Sequence, residues 1–436
     1  MAGEVVRGPK ALEARRPAIA YDAVPATLRA QAVEPGDKGY AKVRSTYMRS
    51  GSPGLVLRPR DAEEVTGGLA FAREQDVPLA IRSGGHGISG RSTNDGGIVI
   101  DLGALNSMSL DGQRLRVGPG ARWGDVAQFL APHGLAMSSG DYGDVGVGGL
   151  ATTGGIGFLG RRYGLTIDHV VAAELVLADG TFVRADDALL WAVRGAGGNF
   201  GIVTALELDT YPLRNVVFST MAFRGDATLL ERWGALIEAA PRELTSFLMM
   251  GRGQVQLYNV FASDDTAAAI DALTPLLEIG PLLDQSAQLV PYAAIVPPHG
   301  GVHMGGYEPL IRSGLLDHIT PAAAEAMVAL DSPFLQIRSV GGAINDVDPM
   351  ATAYAHRTQN FSVAAVGARD WDALMAGLTN GLYLSFDTDQ RPERLLEAFP
   401  EPTLTRLREL KATYDPDNVF NQNFPIRPLR YGRSHV

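Results

Sequence analysis

The sequence has 436 residues, of which 46% are hydrophobic and 20% charged, with 51 glycines, no cysteine and a net charge of −10. This composition is typical of a soluble globular protein with two domains. The acidic balance argues against a nucleic-acid partner, and the absence of cysteine excludes disulfides, thiolate metal sites and cysteinyl links to a cofactor. No apolar stretch has the ~20 residues that cross a bilayer, and the charged N-terminus lacks a secretory core. We therefore expect no membrane partner and a cytoplasmic location, with the oligomeric state left open.

The first half of the chain predicts strands and turns with a few helices. Residues 61–75 predict a helix, because Asp61 can cap its N-terminus and Glu63 and Glu64 stand in its first turn. An apolar strand follows at Leu79–Arg82. The later predictions are a strand at 98–100, a hairpin at Asp111-Gly112, a helix at 123–131, a glycine-dense segment at 140–164, a hairpin at Asp179-Gly180 and a strand in IVTALELDTYPL.

The texture of the sequence changes near Tyr211-Pro212. From about 215 to 395, strands alternate with helices rich in alanine and leucine, which indicates α+β packing. The three predicted helices of this region are 227–240, 267–277 and 322–330.

Glycine clusters at 84–90, 146–160 and 195–201 suggest several loops around one large anionic cofactor, because successive backbone N–H groups bind anions. GIGFLG, residues 155–160, matches GxGxxG. A Rossmann site also needs a strand before this motif and a helix start after it, and the sequence predicts neither. These loops therefore favour a different cofactor fold.

Two histidine patterns are candidates for chemistry. His86 lies between glycines, where it is either a structural residue or a reactive ring close to a ligand. His299 and His303 have the spacing of two metal ligands on a helix, but the surrounding prolines and glycines disfavour a helix. A mobile loop over an active site is the favoured interpretation, and no metal is expected.

Four segments carry a resemblance in the expected order: IRSGGHGISGRSTNDGGIVIDL, DVGVGGLATTGGIGFLGRRYGLTIDHVVAAELVLADG, LLWAVRGAGGNFGIVTALEL and KATYDPDNVFNQNFPI. They resemble the FAD-linked oxidases of the berberine bridge enzyme-like group in the vanillyl-alcohol oxidase superfamily. The resemblance implies a two-domain α+β flavoprotein. Its FAD-binding domain would comprise residues 1–212 and a returning C-terminal segment, 399–436. Residues 213–398 would form a substrate-binding domain, an antiparallel sheet backed by helices.

The resemblance implies FAD as the cofactor, linked through His86 to the 8α-methyl group of the flavin. Many relatives have a second, cysteinyl link, but Tyr142 occupies the cysteine position here, so we expect a single link. The remaining residues implied for cofactor binding are Arg82, Ser83, Gly84, Gly85, Gly87, Gly90, Val147, Gly148, Gly149, Thr153, Gly154, Gly157, Val203, Asn421 and Asn423.

The implied reaction is that of an oxidase acting on a small organic molecule. A hydride would leave a C–H bond next to O or N of an alcohol, a sugar or polyol, or a secondary-metabolite hydroxyl, and O2 would be reduced to H2O2. Val145 matches the position that gates oxygen access in the family, and valine there resembles the oxidases. The alternatives are a bacterial amine oxidase with histidyl-linked FAD and a dehydrogenase with another acceptor. A binding protein without redox activity is a further alternative.

The usual catalytic bases of the family are missing. Ile156 stands where alcohol-oxidising relatives have a tyrosine, and Gln336 and Arg338 occupy the strand where others have a glutamate. A general base contributes about 10²–10⁴-fold to the rate. We expect Tyr142, Tyr383, Val145 and Asn423 in the catalytic site. The base would be Tyr142, Tyr383, His299 or His303, unless an amine substrate needs none.

Overall fold

The computed structural model describes residues 7, 9–298, 303 and 305–429. Its α-helices are α1 (Pro9–Glu13), α2 (Tyr40–Val43), α3 (Ala62–Arg73), α4 (Trp123–Leu130), α5 (Val147–Thr153), α6 (Gly160–Tyr163), α7 (Asp187–Ala196), α8 (Ala227–Ala239), α9 (Thr266–Leu273), α10 (Tyr292–Ile295), α11 (Pro321–Ala329), α12 (Trp371–Leu374), α13 (Pro392–Ala398) and α14 (Thr403–Tyr414). Within these described ranges, no helix combines the length and apolar character needed to cross a membrane.

The strands form two small sheets and two large ones. In chain order they are β1 (Leu55–Leu57), β2 (Leu79–Arg82), β3 (Ile98–Asp101), β4 (Met108–Asp111), β5 (Arg114–Val117), β6 (Leu135–Ala136), β7 (Val170–Val176), β8 (Phe182–Arg184), β9 (Ile202–Asp209), β10 (Tyr211–Pro212), β11 (Asn215–Arg224), β12 (Leu244–Gly251), β13 (Gln254–Phe261), β14 (Leu282–Pro291), β15 (Ile311–Leu316), β16 (Phe334–Ser339) and β17 (Phe361–Val366). The small sheets are the parallel β1-β3-β2 and the pair β10-β6.

Most of the elements predicted for the first half are confirmed. The side chain of Asp61 accepts a hydrogen bond from the N–H of Glu64 at 2.8 Å, and this cap starts α3. The predicted hairpins appear as β4-β5 and β7-β8. Together with β9, these strands make a five-stranded antiparallel sheet in the order β4-β5-β9-β7-β8. Its core also contains buried side chains of α5, α7 and α14.

The predicted alternation of strands and helices after residue 215 builds a seven-stranded antiparallel sheet. Its order is β14-β11-β13-β12-β16-β17-β15. Helices α8, α9 and α11 cover one face around Trp233 and Phe223. The other face packs through Phe247 against Ile156 and Phe158 of the glycine-rich segment. The strands lie within the predicted middle domain, 213–398, whose boundaries stay a prediction.

Two expectations about helices need correction. The glycine-dense segment 140–164 is not a continuous loop, because it contains α5 and the one-turn helix α6. A helix therefore precedes GIGFLG instead of the strand that a Rossmann site needs, although a short helix does begin at Gly160. The predicted helix 267–277 ends as an α-helix at Leu273 and continues as a 3-10 turn. The reason is Pro275, which has no N–H for the α-helical hydrogen bond.

Buried arginines join the two large sheets. Arg161 in α6 donates hydrogen bonds to the carbonyl oxygens of Leu244, Val340 and Ala240 at 2.8, 3.0 and 3.1 Å. Arg357 forms an ion pair with Asp168 at 2.7 Å, and both side chains are buried. These contacts hold the substrate-side sheet against the glycine-rich segment, where the candidate site lies.

Candidate active site

His86 lies in the loop between β2 and β3 and is surrounded by three other rings. The ring of Tyr47 stacks on it at 4.4 Å, and the rings of His303 and Tyr142 lie 4.9 and 5.3 Å away. Burial lowers the pKa of His86 to about 4, with the charges of His303 and Arg122 adding to the effect. The imidazole is therefore neutral at pH 7. Its buried Nε2 has no hydrogen-bond partner in the described part of the chain.

The glycines next to His86 allow two loops to touch backbone to backbone. A Cβ atom placed on Gly84 would lie 2.3 Å from the nitrogen of Gly146, so neither position accepts a side chain. Ser83 reinforces this contact, because its Oγ accepts a hydrogen bond from the N–H of Gly148 at 3.2 Å and donates one to the carbonyl of Pro119 at 2.5 Å. The His86 loop is thereby fixed at the N-terminal end of α5.

The carbonyl oxygen of Gly84 is held from two sides. It accepts hydrogen bonds from Nη1 of Arg122 at 2.7 Å and from Nε2 of His303 at 3.0 Å. His303, one of the two predicted loop histidines, thus belongs to the site, whereas His299 lies outside the described residues. The described residues hold no cluster of three or more side chains able to bind a metal ion.

The residues present fit a large anionic cofactor. Within the described ranges, the backbone N–H groups of His86, Gly87 and Ile88 donate to no acceptor, so they are available to an anion. Gly87, Gly149 and Gly198 have no atom within 4 Å of the position of a Cβ, which leaves open space beside the loops. The neutral His86 is next to Gly87 in the chain. Open space beside glycine loops and free backbone N–H groups fit an anionic cofactor such as FAD, which the His86 loop would hold.

The remaining predicted cofactor residues take different places. Arg82 is buried, and its guanidinium pairs with Asp101 at 2.8 Å, so it fixes the loop rather than facing the open space. Gly85 and Gly90 have positive φ angles of 69° and 67°. Gly157 packs on the backbone of Gly140. Val147 and Val203 are buried. Gly148 lies within α5, and Gly154 follows its last residue. The hydroxyl of Thr153 forms a hydrogen bond with the hydroxyl of Ser385 at 3.0 Å.

The C-terminal segment contacts the His86 loop through Asn423. Oδ1 of Asn423 accepts hydrogen bonds from Ser89 at 3.0 Å and from Gln390 at 3.1 Å. The exposed Asn421 donates a hydrogen bond from its side-chain amide to the carbonyl of Asn418, three residues earlier in the same segment. Asn423 therefore touches the loop that carries His86, while Asn421 stays within the tail.

The predicted catalytic tyrosines differ in exposure. Tyr142 is 40% exposed and contacts the ring of His86, whereas the half-buried Val145 packs against the core of the five-stranded sheet. Tyr383 is buried, and its hydroxyl accepts a hydrogen bond from the N–H of Gly155 at 2.8 Å. Tyr142 thus contacts His86 directly, whereas Tyr383 holds the backbone of the glycine-rich segment through its hydrogen bond with Gly155.

The structure adds one carboxylate that the sequence analysis missed. Oδ2 of Asp141 accepts hydrogen bonds from Nη2 and Nε of Arg338 at 2.9 and 3.2 Å, and from Gln336 at 3.4 Å. Gln336 and Arg338 alternate with helix-facing residues on β16, so their side chains point to the face of the sheet opposite helices α8, α9 and α11. The guanidinium of Arg338 also stacks on Phe386 at 3.9 Å. Asp141 immediately precedes Tyr142 and carries no motif signal of its own in the sequence.

Comparison with known proteins agrees with this geometry. Residues 53–186 match the FAD binding domain family, and residues 398–427 match the family described as berberine and berberine like. The (R)-6-hydroxynicotine oxidase of Paenarthrobacter nicotinovorans is 30% identical, with 93% of this chain and 98% of that protein covered. The xylooligosaccharide oxidase of Thermothelomyces thermophilus is 32% identical over 52% of this chain and 49% of that protein.

Solved structures give the same result. The crystal structure of 6-hydroxy-D-nicotine oxidase from Arthrobacter nicotinovorans superimposes with a TM-score of 0.82 and 27% identity, covering 93% of this chain and all of that one. A chitooligosaccharide oxidase has the same fold, with a TM-score of 0.82, 22% identity and coverages of 92% and 97%. The predicted α+β flavoprotein fold is confirmed. The chain belongs to the berberine bridge enzyme-like FAD-linked oxidoreductases, which use FAD to oxidise small molecules.

Proposed function

We propose that this enzyme is an oxidase that carries FAD on a single covalent link to His86 and reduces O2 to H2O2. When bound, FAD supplies the hydride acceptor and returns the two electrons to O2. One observation carries the proposal: the neutral, half-buried imidazole of His86, whose buried Nε2 has no hydrogen-bond partner among the described residues, lies in the glycine loop that touches the start of α5. A neutral ring has the free electron pair that a bond to the cofactor requires.

The neighbours of His86 support a single link. Tyr142 stands at the position of the second, cysteinyl attachment and contacts the ring of His86, and the chain has no cysteine, so a second link through a thiolate is excluded. Tyr47 stacks on the other side of the imidazole and restricts its rotation. His303 contacts the ring edge and keeps its own Nε2 on the carbonyl of Gly84. The imidazole is thus held in one orientation.

Asp141 is the proton acceptor in this proposal. Arg338 and Gln336 bind Oδ2, which leaves Oδ1 to accept the proton of a substrate hydroxyl. As the O–H bond breaks, its electron pair forms the new C=O bond, and the hydride leaves from the adjacent carbon. Tyr383 then has a positioning role, because its hydroxyl is buried against the N–H of Gly155.

The substrate class follows from this proton acceptor. A carboxylate that takes a proton favours a substrate with a C–H bond next to a hydroxyl group. Curated relatives include oxidases named for xylooligosaccharides and chitooligosaccharides, which fits such a substrate. A screen of alcohols, sugars, polyols and secondary amines with detection of H2O2 identifies it. Release of H2O2 with amines but not with alcohols, sugars or polyols would contradict the role of Asp141.

The test of the link is the fate of the flavin on denaturation. We expect the wild-type protein to retain yellow, fluorescent flavin after acid precipitation, and H86A to release it. The matched control is H318A, because His318 lies on the surface with its side chain 66% exposed. Release of flavin from the wild type would refute the covalent link, and retention by H86A would place the link elsewhere.

A further inference from the structure

Strand β14 lies at one edge of the seven-stranded sheet and is uncovered on both faces. All of its residues are exposed except the half-buried Val290. Three of them are leucines, with exposures of 38% at Leu282, 50% at Leu283 and 48% at Leu289. A long, exposed strand edge that carries leucines is a template for pairing with another strand.

The opposite edge of the same sheet, strand β15, is covered by another part of the chain. Strand β15 is largely buried, and a later segment of the chain satisfies its outward backbone groups. Ile311 donates to the hydroxyl of Thr388 at 3.0 Å, Ser313 to the carboxylate of Asp387 at 2.9 Å, and Leu315 to the carbonyl of Gly381 at 2.9 Å. The fold thus covers one edge and leaves β14 open over the described ranges.

We propose that β14 pairs antiparallel with β14 of a second copy of this chain, about a two-fold axis at Ser286. The sequence LLDQSAQLV is self-complementary in this register. The facing pairs, one residue from each copy, are Leu282 with Val290, Leu283 with Leu289, Asp284 with Gln288, Gln285 with Ala287, and Ser286 with Ser286. Each pair matches apolar with apolar or polar with small or polar residues, and like charges do not meet.

Neighbouring registers are worse. Moving the axis to Gln285 places Leu282 opposite Gln288, and moving it to Ala287 places Asp284 opposite Val290. The chemistry of the strand therefore selects one register.

The geometry of β14 permits this ladder. Its pairing with β11 is regular from Asp284 to Pro291, and the single irregularity lies near Leu283, at the end of the strand. Five of the nine facing pairs, those within residues 284–288, lie wholly in the regular part and would make about five main-chain hydrogen bonds, roughly half of the ~10 direct hydrogen bonds of a typical protein interface. The two seven-stranded sheets would then form one continuous sheet, an arrangement known as β-augmentation.

The test measures the association of the FAD-loaded protein by sedimentation equilibrium. We expect a wild-type dimer with twice the 46.3 kDa mass of the chain. Q288D places a carboxylate opposite Asp284 in two symmetric pairs and should weaken the dimer about tenfold, whereas Q288K places opposite charges together and should strengthen it. Q113D, on an exposed hairpin of the other large sheet, is the matched control.

Hydrogen exchange provides an independent readout. The amides of β14 should exchange slowly in the wild type and faster in Q288D, with flavin content unchanged. A wild-type protein that sediments as a single 46.3 kDa chain at every concentration would overturn the proposal. So would a dimer that responds in the same way to Q288D and Q288K.

Discussion

Asp141 and Arg338, which come from distant parts of the chain, form an ion pair near the predicted flavin site. The two residues are 197 positions apart in the sequence, and Arg338 is only 5% exposed. We predict that D141N slows reduction of the bound flavin by substrate, measured without oxygen, by about 10²–10⁴-fold. The asparagine keeps an oxygen acceptor for Arg338 but leaves the charge of this buried arginine unpaired, so the free energy of unfolding and the flavin content are measured together with the rate.

Two comparisons separate this loss from a general defect. D346N changes an exposed aspartate that pairs with Arg242 and should leave the rate as in the wild type. Oxidation of the dithionite-reduced D141N protein by O2 should also proceed normally. If D141N reduces its flavin at the wild-type rate, another group accepts the proton. Slow reoxidation of the reduced wild-type protein by O2 would count against the oxidase proposal itself.

Val145 concerns the second half of the reaction. Its side chain is half-buried beside the core of the five-stranded sheet, and its carbonyl is fixed by the N–H of Trp123 at 3.0 Å. We predict that V145L decreases H2O2 release while leaving the reduction of an artificial dye acceptor nearly unchanged, because the larger side chain restricts O2. Equal losses in the two assays would mean that Val145 affects substrate oxidation instead.

The residues of the site differed in how well the sequence revealed them. His86 and Asn423 carry motif signals, and the structure places both in or against the same loop. Asp141 carries none, because an aspartate between a glycine and a tyrosine gains its meaning only from Gln336 and Arg338 on a distant strand. Pairing across such a sequence distance depends on the whole fold.

At the scale of elements, the contact between the His86 loop and the start of α5 shapes the cofactor site. We predict that G84A decreases flavin loading and destabilises the protein by about 1–3 kcal/mol, because its Cβ would meet backbone atoms of Gly146 that cannot move aside. The measurements are flavin absorbance per chain and the free energy of unfolding. G39A is the control, since Gly39 is exposed with open space around it. Full loading of G84A would show that the two loops need not touch.

Elements with local signals were predictable, and those without were not. Asp61 marks the start of α3, because an aspartate before the first turn of a helix is a recognisable N-cap in the sequence. Helix α5 has glycines at Gly148 and Gly149 and no side-chain cap, so its residues favour a loop by propensity. It forms because Val147 and Ala151 are buried in the core of the five-stranded sheet. Tertiary packing, which the sequence does not show locally, decides this helix.

At the scale of the molecule, the order of the motifs predicted the architecture, but not how the two large sheets are fastened together. Arg357 and Asp168 make this connection as a buried ion pair, and Asp168 also accepts a hydrogen bond from the N–H of Leu165 at 2.8 Å. Their separation of 189 residues gave no signal in the sequence. The pair joins the turn before β7 to the segment before β17 of the seven-stranded sheet.

Removing one partner should therefore destabilise the whole protein. We predict that R357Q decreases the free energy of unfolding by about 3–5 kcal/mol, because it leaves the buried carboxylate of Asp168 without its cation. The double variant R357Q/D168N removes both charges and keeps hydrogen-bonding groups, so it should regain much of this loss. R242Q, which breaks an exposed pair with Asp346, should cost less than about 1 kcal/mol. Urea unfolding of R357Q, D168N, the double variant and R242Q checks the order, and a double variant that loses as much as R357Q and D168N together would show that the two charges act independently.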